Sequence, residues 1–340
     1  MRTACLLVAG LLVAANAGAQ ALMHDATAAA TAPAAAADAS PSIVTKVPIF
    51  RSGVELVALN VVVTDGGSKF VTGLQPGNFA VYEDGVQQDV TFFAATSVPL
   101  DLAILLDTSS SMSDKLKAVQ QAATGFVSTL RDGDRTMIVD IKDGTKILQP
   151  LSGDIAAAKT AIAGTMAKGG TALFNGVYLT LKELTKQQRL NDDVRRQAIV
   201  VLSDGEDTAS LVSFDDVLAQ AKEAGIAIYT ITLRSPYLVQ MAAASGRRYF
   251  SEADYGMKAL ALETGARAFF PTAIAELSGV YGSIAQELAS QYALGYLPKN
   301  PRRDGTFRRL TVRIEDHPGA APRLRSGYVA PRTDRKAATN

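Results

Sequence analysis

The chain has 340 residues, room for one large domain and a smaller companion. Hydrophobic residues make up 48% and charged residues 20%, ordinary for a globular chain with a sizeable core. A formal net charge of +1 gives no bulk electrostatic case for nucleic acid or an anionic membrane, and the lack of Trp weakens a base- or sugar-stacking role.

Residues 1–19 read as a secretory signal peptide. Arg2 supplies the positive start, and CLLVAGLLVAA is an apolar run too short to span a bilayer comfortably. Ala17-Gly18-Ala19 fits a small-x-small cleavage site before Gln20; an uncleaved anchor is the alternative. Cys5, the one cysteine, precedes the middle of the apolar run, which argues against a lipoprotein. Cleavage would leave a mature chain with neither thiol nor disulfide, compatible with an oxidising compartment. The expected location is secreted or periplasmic, with no transmembrane segment in the mature chain.

Residues 20–46 are Ala-rich, and Pro33 and Pro41 interrupt any helix, so a flexible spacer is expected. Residues 47–97 read as β-strands. VELVALNVVVTDGG ends in a turn signal, and FAVYEDGVQQDVTFF alternates about an Asp84-Gly85 hairpin signal. Residues 98–290 alternate strand and helix signals, which predicts an α/β fold with a mainly parallel, doubly wound sheet. The strands are LDLAILLD, RTMIVDIK, KILQPL, QAIVVLSD, IAIYTITL and RAFF, with helices near 113–130, 154–166, 174–189, 214–224, 257–265 and 275–290. Asp143-Gly144 predicts a hairpin, and Pro150 fits KILQPL as the antiparallel edge strand. Residues 234–256 look long for a connection inside such a unit, and their Tyr, Phe and Arg content reads either as an interface or as an unstructured insertion.

Residues 291–331 return to strand signals in QYALGYL, TFRRLTVRIED and RLRSGYVA, followed by a tail at 332–340. Both flanks together show about seven strand signals, which suits one small immunoglobulin-like sandwich with the α/β domain inserted into it. The alternative is that each flank packs separately. The Arg cluster RRDGTFRR reads as a solvated hairpin.

Three motifs carry the chemistry. Asp107 ends the first α/β strand with Ser109 and Ser111 just after it, Thr171 follows the pair Gly169-Gly170, and Asp204 lies in Ser203-Asp204-Gly205 after another apolar strand. Two carboxylates and three hydroxyls are hard oxygen donors that suit Mg²⁺ or Mn²⁺. Ca²⁺ prefers more oxygens, and the lack of His or Cys among these residues disfavours Zn²⁺. Alone, each residue has a plainer reading: Asp107 a turn carboxylate, Ser109 and Ser111 loop serines, Thr171 a helix cap, Asp204 a strand-end turn. Glu206 and Asp207 read as solvated loop acids.

Taken in order, these motifs resemble the von Willebrand factor A family, over about residues 98–290. The flanks resemble a bacterial secreted subfamily through VYEDGVQQDVTFF, QYALGYLP and RSGYVAP. The resemblance implies a metal-ion-dependent adhesion site with Ser109 and Ser111 ligating directly, Asp107 and Asp204 acting through water, and Thr171 acting either way. It further implies a Mg²⁺ open to an Asp or Glu side chain of a protein partner, and a last helix, 275–290, that shifts with occupancy.

Other classes fare worse. His24 and His317 lie in the spacer and in a turn-like segment, so a Ser-His-Asp hydrolase has no ready base. No phosphate loop or dinucleotide fingerprint is present. The expected function is a non-catalytic binding module. A structural or assembly protein of the cell envelope is the alternative, and a metal-dependent hydrolase the more distant one.

Overall fold

The computed structural model describes residues 56–95, 98–190, 195–204, 206–247 and 249–332. The signal peptide, the Ala-rich spacer, Gly205, Arg248 and residues 333–340 lie outside them.

The N-terminal flank forms β1 (Val57–Thr64), β2 (Phe79–Glu83), β3 (Val86–Gln88) and β4 (Val90–Ala95). Asp84 and Gly85 turn β2 into β3 with φ of 49° and 85°, the left-handed pair that a tight hairpin needs.

The α/β part supplies β5 (Leu100–Asp107), α1 (Leu116–Val127), β6 (Arg135–Ile141), β7 (Thr145–Ser152), α2 (Ile155–Ala163) and α3 (Leu173–Leu190). It continues through β8 (Arg196–Ser203), α4 (Phe214–Ala224), β9 (Ala227–Thr232), α5 (Pro236–Ala244), α6 (Glu252–Glu263), β10 (Ala268–Phe269) and α7 (Leu277–Ala289). The sheet order is β10-β9-β8-β5-β6-β7, parallel throughout except for β7 at the edge. Every residue of β5, β8 and β9 is buried, because helices cover both faces. Leu102, Ile104 and Leu106 face a core with Phe126 of α1, Ile162 of α2 and Ile284 of α7. Ala103 and Leu105 face the other, with Val177 of α3, Val217 of α4 and Leu260 of α6. The two-residue period of an extended strand makes that division.

The segment 234–256 is neither a long loop nor an unstructured insertion. It holds α5 and the first turn of α6, which Ser251 and Asp254 cap reciprocally. The sequence Ser251-x-x-Asp254 carries that signal in plain form.

The C-terminal flank forms β11 (Tyr292–Tyr296), β12 (Phe307–Ile314), β13 (Ala321–Arg323) and β14 (Gly327–Val329). The flanks pair with each other in two four-stranded sheets, β13-β1-β11-β4 and β14-β12-β2-β3. Leu59, Val61, Val81, Leu294, Leu310 and Val312 fill the core they share. The eighth strand arises because the last segment breaks after β13. There Ser326 Oγ donates to Glu263 Oε2 at 2.6 Å, and the chain crosses to the other sheet.

The Arg cluster is only partly solvated. The alternation of β12 turns Arg308 inward, to 1% exposure, where it pairs with the buried Glu83 at 2.9 Å. Tyr296 and Tyr328 also donate to Glu83, and burial beside that carboxylate pushes both phenols far above their ordinary range. No helix of the described residues is long and apolar enough to cross a membrane.

Candidate metal centre

The chain runs from β5 to β6 and β7 on one side of the sheet, then returns to β8, β9 and β10 on the other. The strand order therefore reverses between β5 and β8. A crevice outside the carboxyl ends of the strands at such a reversal is the usual ligand position in open α/β sheets. Leu106 and Leu202 are in register there, so Asp107 and Ser203 leave the two strands side by side.

Asp107 is wholly buried. Its Oδ1 accepts the Ser109 N–H at 2.9 Å, and its Oδ2 accepts the Ser203 hydroxyl at 2.6 Å. Burial pushes this carboxyl above its ordinary value; the bonds from Ser203 and Ser109 pull it partly back, and the charge of Asp204 adds to the rise. The first bond folds the loop so that Ser109 Oγ and Ser111 Oγ lie 3.0 Å apart. Thr108 points the other way and donates to Asp140, which pairs with Lys142 at 3.0 Å.

A second loop is tied to the first. Ser110 N–H donates to Gly169 O at 3.0 Å, and Lys168 N–H to Thr108 O at 2.8 Å. Gly169 has φ +80°, and a Cβ there would stand 2.2 Å from Asp143 Oδ2. Asp143 accepts the Gly170 N–H at 2.6 Å, so the hairpin residue also braces this loop. Thr171 follows, buried, with its N–H on Thr208 Oγ1 and its carbonyl accepting from Thr208 N and Ala209 N. The first N–H groups of α3 go to Asp207 Oδ2 and Ser210 Oγ, so Asp207 is a capping acid and not a solvated one. Glu206 is exposed, as expected.

Asp204 sits half-buried past the end of β8, with Lys115 Nζ 3.4 Å from its Oδ2. The sequence reading missed Lys115, Asp143 and the capping role of Asp207. Ser109, Ser111, Thr171 and Asp204 line one cleft of about 350 Å³, with Asp107 beneath.

The donor set fits a small divalent cation on two counts. With bonds of about 2.0–2.1 Å, adjacent oxygens of a Mg²⁺ octahedron stand about 3 Å apart, the spacing of the two serine hydroxyls. The charged residues lining the cleft, with Asp107, are four carboxylates (Asp107, Asp204, Glu206, Asp254) against Lys115 and Arg234, so two positive charges bring the region to neutrality. Among the described residues no group of three or more His, Cys, Asp or Glu is placed to hold a metal.

Residues 101–263 match the model of the von Willebrand factor type A domain. Such domains mediate protein–protein interactions. No curated protein matches the chain. Among solved structures it is similar to a von Willebrand factor type A protein from Catenulispora acidiphila, at 14% identity over 84% of this chain and 76% of that one, with a TM-score of 0.46. It is also similar to the vWF domain of the type V pili tip protein Mfa5 from Porphyromonas gingivalis, at 16% identity over 57% of this chain and 95% of that one, TM-score 0.44. An aerotolerance-related membrane protein from Bacteroides fragilis NCTC 9343 shares 19% identity over 56% of this chain and 98% of that one, TM-score 0.43.

Proposed function

We propose that this chain is a secreted or periplasmic, non-catalytic binding module. Its Asp107, Ser109, Ser111, Thr171 and Asp204 would hold Mg²⁺, or Mn²⁺ in its place, and present it to an Asp or Glu side chain of a protein partner. The observation that carries the reading is the meeting of three separate loops at one cleft, where four of these residues line the wall and Asp107 anchors the floor. A bound Mg²⁺ would supply Lewis acidity toward an incoming carboxylate. The protein's part is positional. Asp107 holds the serine loop through the Ser109 N–H, and Asp143 and Thr208 hold the Thr171 loop. Neutral hydroxyls donate little charge, so a cation among them keeps its demand for an anion.

Pull-down from a secreted or envelope fraction tests this, with Mg²⁺ and with EDTA side by side. Capture is expected in Mg²⁺, and is expected to vanish in EDTA, in Asp107→Ala and in the milder Ser109→Ala/Ser111→Ala pair. Capture that survives these treatments in chains that still fold refutes the reading.

A further inference from the structure

The cleft continues onto a helix that the fold leaves uncovered. Apart from Gln240 and the Tyr237 hydroxyl, α5 has no polar side-chain group, yet none of its residues is buried. A helix apolar on all sides normally lies inside a protein. Val239 and Ala242 are half-buried and mark the side of α5 that faces the domain. Tyr237, Leu238 and Met241 share an outward arc of about 100° at helical spacing. They are 67%, 40% and 52% exposed. Leu238, with Ser235 before it and Tyr249 beyond, lines the cleft together with Ser109, Ser111 and Asp204. The apolar face and the candidate cation site are therefore one continuous surface. Residues 234–251 carry Arg234, Arg247 and Arg248 and no acid. Arg234 is paired with Asp254 at 3.2 Å. Arg247 is exposed just past the end of α5, where its N–H donates to Ala242 O at 2.9 Å.

We propose that α5 docks the partner segment itself: a short acidic stretch whose Asp or Glu enters the cleft and whose large apolar side chains cover Tyr237, Leu238 and Met241. The proposal rests on the reading of the cleft as a binding site. Nine helical residues span about 13 Å, the reach of about four extended ones, so the apolar anchors fall within about four positions of the acid. Arg247, at the far end of the face, favours a further acid in the same stretch. A second copy of this chain is a poorer occupant, because a two-fold contact of α5 on α5 sets like basic segments against each other. An anionic bilayer laid on this face would meet the acidic wall of the cleft at Asp204 and Glu206.

The test uses the full chain and a library of ten-residue peptides with one fixed central Glu, in MgCl₂ and in EDTA. The captured peptides are expected to carry a large apolar residue at a constant offset, within about four positions of the Glu. Tyr237→Gln and Met241→Gln remove exposed apolar surface while keeping a good helix former at each position. Each should weaken the selected peptides by about fivefold, and the pair by about twentyfold or more. Arg247→Glu should erase any enrichment for a second acid. Mn²⁺ binding by these variants, read by electron paramagnetic resonance, should stay unchanged, and thermal melts confirm that they fold. Capture without apolar selection, a selection that persists in the double variant, or no capture at all overturns the proposal. Binding to vesicles of phosphatidylcholine and phosphatidylglycerol that the double variant loses would overturn it in favour of a membrane surface. A concentration-dependent dimer that the double variant loses would overturn it in favour of a second copy. Apolar selection that survives EDTA would overturn the metal reading and leave this one standing.

Discussion

Asp107 carries a charge that the metal-free fold would rather not hold. Its folded pKa lies above the unfolded one, so its contribution to stability is fully present below the ordinary carboxylate value and is lost as pH rises through the folded value. Above that folded value the ionised carboxylate costs stability wherever no cation balances it. Asp107→Asn should therefore melt no lower than wild type in EDTA, and should lack the Mg²⁺-dependent rise in Tm expected of wild type; calorimetry with and without metal checks both. A sharp fall of Tm in EDTA would mean the carboxylate serves the fold itself. Lys115 acts in the opposite sense, since its ammonium competes for Asp204. Such a partly exposed pair is worth about 0–1 kcal/mol, so Lys115→Met should tighten Mg²⁺ binding by up to about fivefold in titration calorimetry. Weaker binding would show that Lys115 supports the site. The five candidate ligands were legible because their motifs are local. Lys115 was not, because it lies 89 residues from Asp204 in the chain, and neither was the Asp143–Gly170 bond, which joins residues 27 apart.

At the level of elements, the loop 168–171 connects α2 to α3 and carries Thr171 into the cleft. Gly169 has no room for a Cβ against Asp143 and adopts a φ that other residues resist. Gly169→Ala should push Asp143 off the Gly170 N–H and lower Mg²⁺ affinity by about tenfold or more. Its effect on the melting temperature in EDTA should be small, because the loop lies outside the two cores. Equal Mg²⁺ affinity in both proteins would contradict the bracing role. The α/β strands were legible to within a residue or two, since continuous apolar runs of that length have one comfortable home. Helix starts were less so: residues 113–115 remain turn-like before α1 because Ser110–Met112 already forms a 3₁₀ turn. The inward side of Arg308 was missed because composition says charged, while β12 alternation and the partner Glu83 say buried. Removing one partner of a buried ion pair costs about 3–5 kcal/mol, so Glu83→Ala should show that loss in denaturant unfolding, whereas an exposed hairpin would show almost none.

Across the molecule, the sandwich cannot form from either flank alone. β1 pairs with β11 and β13, β2 pairs with β12, and the α/β domain lies between these strands in the chain. Strand signals announced the β character of both flanks but not who pairs with whom, because hydrogen-bonding partners across 200 residues leave no local trace. Truncation after Ser290 should strip β1–β4 of their neighbours and abolish hydrogen-exchange protection across residues 57–95. Protection that survives would mean the N-terminal flank holds itself together. α7 ends at Ala289 and β11 begins at Tyr292, so the domain that carries the cleft runs into the sandwich almost without a connection. The claim on which the functional reading turns is that oxygen donors from three loops share one cation. Crystals grown in Mn²⁺ test it most directly through anomalous scattering. The account predicts a single strong peak in the cleft within ligand distance of Ser109 Oγ and Ser111 Oγ; a cleft without such a peak, at a Mn²⁺ concentration that saturates known sites of this kind, would contradict it.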